Sequence, residues 1–167
     1  MIMKGFIIVT FCLLFWFVCY KKTGTDKKNM FGFCSYPVEV QERVRADSTL
    51  AKLTPAEINI PKVILSNIIL FSVVFGVIGV AVNYTLGFGG FLDVFVYFLI
   101  FGEIVNLFDF VVIDLIWWRN TPRIRFSCVP EKQLYQNPKV HIDSFLRGIP
   151  TFVVPAIVVA GLLQLLP

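Results

Sequence analysis

The chain has 167 residues, of which 57% are hydrophobic and only 16% charged, and its formal net charge is +4. A soluble domain runs near ~45–50% apolar and ~25% charged, so this composition excludes one. It also excludes intrinsic disorder, collagen-like repeats and disulfide-rich secreted scaffolds. What remains is a polytopic membrane protein, with mean hydropathy +0.78. The expected fold is an all-α membrane protein. It is a four-transmembrane-helix bundle with two basic cytoplasmic loops, and 1–167 form a single integral membrane domain.

A span needs roughly 20 mostly apolar residues to cross ~30 Å of hydrocarbon. Four segments qualify. The first runs from Gly5 to Tyr20, between Lys4 and Lys21-Lys22. A cleaved signal peptide is the alternative there, but Trp16-Phe17-Val18-Cys19-Tyr20 has no small-x-small cleavage pattern, which favours a retained span. The second span covers Val63 to Tyr84 and carries no charge. The third runs from Phe91 to Trp117-Trp118, and the fourth from Phe145 to Leu166. The chain stops at Pro167, so no tail is expected to carry a soluble function.

Lys and Arg counts orient the spans. Fourteen of the fifteen basic residues lie within 21–62 and 119–147. The expectation is a multi-pass cell-membrane protein with both termini outside and loops 21–62 and 119–144 cytoplasmic. Trp16, Trp117 and Trp118 then fall at the cytoplasmic interface, where aromatic belts sit. The positive charge reads as topology and contact with anionic phospholipids. No basic or aromatic module for nucleic acid is present.

The first loop carries two helix starts. Tyr36-Pro37 opens a helix through Val44, with Val40 and Val44 on one face. That face is expected to lie on the bilayer or to pack on the other loop. Thr54-Pro55-Ala56-Glu57 matches a capping box with Pro at the first helical position. In the second loop, Arg119, Arg123 and Arg125 are candidates for anion or lipid head group binding, because guanidinium groups hold phosphate bidentately. Alternation of Arg123 and Arg125 with Ile124 and Phe126 suggests an extended interfacial piece. Asn137-Pro138 restarts a helix through His141, Asp143 and Arg147 into the fourth span.

The third span holds the most informative residues: Glu103, Asn106, Asp109 and Asp114. Ionisable groups inside a bilayer are costly and face the bundle interior or a wet cavity. At about 100° per residue, Asn106 and Asp114 lie within about 60° of Glu103, and Asp109 about 120° away. Glu103 sits roughly 20 Å from the Trp pair at ~1.5 Å per residue. A hydrogen-bonded link from Glu103 to Asn106, Ser66, Asn67 or Ser72 is the structural reading. Transport or proton relay by Glu103, Asn106, Asp109 and Asp114 is the functional one. Gly102 would admit a neighbouring helix on that face. Asp93 is expected at the outer interface, solvated.

Candidate catalytic residues are Asp109, Asp114 and His141, the last beside Asp143 at the interface. His141 is the single histidine, and no Cys-x-x-Cys, His-Glu-x-x-His or phosphate-binding glycine motif occurs, so no metal site and no cofactor are expected. Ser72-x-x-x-Gly76 and Ala156-x-x-x-Ala160 fit close helix packing. Pro150 and Pro155 should kink or delay the fourth span. No family motif is specific enough to transfer residue roles.

Three functions compete. The first is a permease-like transport component, completed by a homo-oligomer or a partner membrane subunit because four spans leave little room for a pathway. The second is a membrane-embedded enzyme acting on an anionic or lipid-linked substrate at the cytoplasmic interface. The third is a scaffold or assembly factor.

Overall fold

The computed structural model describes residues 2–55 and 59–165. It is an all-α membrane bundle. Four helical segments are long and apolar enough to cross a membrane: α1 (Ile2–Lys21), α4 (Ile60–Leu86), α5 with its continuation (Phe91–Trp118) and the one built on α6 (Lys139–Leu163). Between them lie the short α2 (Asp26–Asn29), α3 (Val38–Ala46) and four 3-10 turns. The third span is not uniform. α5 ends at Phe108, and Asp109–Trp118 continues as a π-helix.

The chain groups into two compact units. One comprises the residues up to Ile8, Asn59–Asn106 and the chain from Phe145 onward; the other comprises Val9–Ile58 and Leu107–Ser144.

The first unit is built on close helix contacts. Phe75, Phe98 and Phe101 are fully buried, and the Phe75 ring packs against those of Phe98, Phe101 and Phe152. Gly102 faces the Phe152 ring so closely that a Cβ would lie 2.6 Å from it, so α6 takes up the approach that Gly102 permits. Ala156 and Ala160 are fully buried, as small residues at a helix contact should be. In α4 the close contact falls at Gly79, against Val159 and Leu163, while Gly76 has open space around it. Pro150 and Pro155 both lie inside an uninterrupted α6, which begins well before the fourth span expected from Phe145. Asn59 caps α4 and accepts from the Lys62 N–H. The Ala56 and Glu57 of the capping box lie outside the described residues, and the Thr54 hydroxyl donates to the Ala51 carbonyl. Asp93 is not simply solvated. Its carboxylate meets the Lys4 ammonium at 3.5 Å and accepts from the Gly89 N–H.

The second unit has a core assembled from both basic loops. Val40 and Val44 of α3 are fully buried among Phe33, Tyr36, Trp118, Ile124, Phe126, Val129 and Tyr135. The i, i+4 valines thus pack on the other loop. The Tyr36 hydroxyl donates to the Ile124 carbonyl at 2.8 Å, and burial pushes its pKa upward. Tyr135 donates to the Val129 carbonyl and accepts from the Phe126 N–H. Asn29 ties the loops together, donating to the carbonyls of Arg123 and Arg125. The piece expected to be extended is a 3-10 turn, Pro122–Ile124, followed by a single bridge between Phe126 and Val129. Its alternation still sends Ile124 and Phe126 into the core.

Candidate functional site

The site starts from the π segment. An i→i+5 helix is rare, and such turns recur at functional positions. The Arg119 N–H returns to the Asp114 carbonyl in this register. Val111-Val112-Ile113 supplies a β-branched run, which is stiff at χ1 and less favourable in an α-helix. From Asp109 onward the spacing of 100° per residue fails. Residues five apart come near one face, so Asp109 and Asp114 align with each other instead of lying about 140° apart as α-helical spacing places them.

Asp114 finds its partner on α6. The Asn137 side chain accepts from the Lys139 N–H and starts that helix. His141 follows in the first turn. Its Nδ1 lies 3.0 Å from Asp114 Oδ2, within hydrogen-bond range for an Nδ1–H donating to the carboxylate. That bond assigns the tautomer and leaves Nε2 as the other functional nitrogen. The imidazole is buried, and it sits edge-on to the Trp118 ring with centroids 4.8 Å apart. Nε2 is buried with no hydrogen-bond partner among the described residues. The partner of His141 is Asp114 rather than the exposed Asp143. Trp118 belongs to this core, while Trp16 and Trp117 pack together at 6.3 Å. Asp109 is half-buried and makes no ion pair among the described residues.

The arginines hold the second unit together. Arg119 donates to the Gln136 carbonyl at 2.6 Å, and the Gln136 amide returns a bond to the Arg119 carbonyl at 2.7 Å. Arg123 donates to the carbonyls of Tyr20 and Thr23, and its guanidinium lies 4.1 Å from the centre of the Tyr20 ring. Arg125 is more open, with one long contact to the Pro130 carbonyl at 3.5 Å. Gln136 and Tyr20 escape sequence reasoning, because nothing in their spacing announces these pairings.

Glu103 and Asn106 belong to the first unit. Asn106 is buried and donates to the Phe145 carbonyl at 3.2 Å. Gly148 packs against its carboxamide, with the place of a Cβ only 2.7 Å from Asn106 Cγ. Glu103 is half-buried and has no hydrogen bond or ion pair among the described residues; Ser66 and Asn67 are exposed rather than turned toward it. Among the described residues, no group of three or more His, Cys, Asp and Glu side chains is placed to hold a metal ion.

A carboxylate fixed on Nδ1 can do two things. It orients the imidazole, and it stabilises the imidazolium that forms when Nε2 takes a proton. Such a dyad serves general-base chemistry or proton transfer. No known protein family, curated protein or solved structure matches this chain.

Proposed function

We propose that this membrane protein is a permease-like transport component in which Asp114 and His141 form a proton-handling dyad. The observation that carries the reading is the Asp114–His141 contact at 3.0 Å, with Nε2 buried and unpartnered among the described residues. Asp109 lies one π turn away and extends the acidic face. Glu103 supplies a further carboxyl on the same span, and Asn106 holds α6 in place through Phe145. The basic loops lie on the cytoplasmic side, where anionic phospholipids attract them. A second copy or a partner subunit completes the pathway.

The enzyme reading needs Arg119, Arg123 and Arg125 to hold a phosphate. Arg119 and Arg123 donate instead to main-chain carbonyls, which favours transport. Proton flux into proteoliposomes under an imposed membrane potential tests the proposal. The expected result is flux in the native protein that is lost in Asp114→Asn and in Glu103→Gln at equal insertion. No flux above protein-free vesicles in the native protein would overturn it.

A further inference from the structure

The loop that follows α1 carries an apolar tip that the second unit leaves outside its core. Phe31 is 78% exposed and Leu53 51% exposed. With Met30 and Lys27 they line an open hollow of about 230 Å³. Large exposed apolar groups gathered at one spot mark an interaction surface.

Two observations say what covers it. The first is depth. α1 ends at Lys21, and the Lys22 ammonium lies 5.8 Å from the Phe31 ring centre. Phe31 is therefore held near the C-terminal end of α1, beside the lysines that follow it. The second is charge. Lys22, Lys27, Lys28 and Lys52 are exposed and make no ion pair among the described residues. The nearby Asp26 carboxylate is occupied by the N–H and hydroxyl of Ser127. Apolar side chains with a lysine rim match a membrane interface that bears negative head groups.

We infer that Phe31 and Leu53 seat in the headgroup layer of the leaflet where α1 ends, with Lys22, Lys27 and Lys52 on anionic phospholipid. The surface recognises an acyl–glycerol boundary beneath and phosphate at its edge. It acts as an interfacial anchor that fixes the second unit against the membrane. It does not depend on the proton-handling reading.

Photo-crosslinking tests it. p-Benzoylphenylalanine replaces Phe31 in the full chain, which is placed in nanodiscs of mixed phosphatidylglycerol and phosphatidylcholine and irradiated. Phe31 lies outside the core, so the change leaves the fold intact. The expected product carries one phospholipid, with phosphatidylglycerol enriched several-fold over its mole fraction. Adding Lys27→Gln and Lys52→Gln should bring that enrichment down toward the mole fraction. An intact chain without a lipid adduct, a crosslink to a second protein chain, or lipid adducts in proportion to the mixture would overturn the inference.

Discussion

Asp114 and His141 meet at 3.0 Å, a carboxylate from the third span against an imidazole in the first turn of α6. The contact joins the end of one apolar segment to the start of another, and it buries the single histidine of the chain. Breaking it should be felt in the fold as well as in function. Removing one partner of a buried pair costs about 3–5 kcal/mol. Asp114 keeps some exposure, so the lower end applies. His141→Ala should lower the melting temperature of the detergent-solubilised protein by several degrees. Asp114→Asn keeps an oxygen that can accept from Nδ1–H, and its melting temperature should stay close to native. Scanning fluorimetry of the two variants checks this asymmetry.

Gly148 is expected to tolerate no side chain. A Cβ there overlaps the Asn106 carboxamide, which is itself held on the Phe145 carbonyl. Gly148→Ala should destabilise the first unit by about 1–3 kcal/mol, the usual cost of overpacking. Gly76→Ala has open space around it and serves as the control. Thermal unfolding in detergent separates the two.

Tyr36→Phe should cost about 1–3 kcal/mol, because it leaves the buried Ile124 carbonyl without its donor. The ring itself would still fill the space between Trp118 and Phe126. Denaturant or thermal unfolding, read against Tyr135→Phe, measures the effect.

Asp47 makes the turn after α3 sensitive to acid. Its carboxylate accepts from the Thr49 hydroxyl and from the N–H groups of Leu50 and Thr49, and these bonds lower its pKa below the ordinary 3.8. The folded value is depressed, so the contribution is present above pH ~4 and is lost as pH falls through the folded value. The protection of the Thr49 and Leu50 amides against hydrogen exchange, relative to the intrinsic rate at each pH, should fall as pH drops through the lowered Asp47 value in the native chain. In Asp47→Ala the same amides should already exchange fast at neutral pH.

Much of the architecture was legible in the sequence. Long, predominantly apolar runs marked the four spans, and Pro37 followed by Val40 and Val44 marked α3 and its buried face. Asn137-Pro138 marked the start of α6. The π segment was not legible, since residue order does not distinguish i→i+5 from i→i+4 bonding inside an apolar helix. That choice decides whether Asp109 and Asp114 align. The partner of His141 is not legible because Asp114 lies on another helix. The arginines looked like phosphate ligands because their side chains have the right chemistry, whereas the carbonyls they hold belong to the fold.

In the proposed transport role Asp114 and His141 act as one unit in moving protons. Potential-driven proton uptake by proteoliposomes containing native protein, Asp114→Asn, His141→Gln or the double variant tests it most directly. Groups that act together show non-additive losses. Each single substitution is expected to cut flux by about 100-fold, the scale of one acid–base group, and the double variant to fall no further. Flux that survives either single substitution, or losses that multiply in the double, would contradict it.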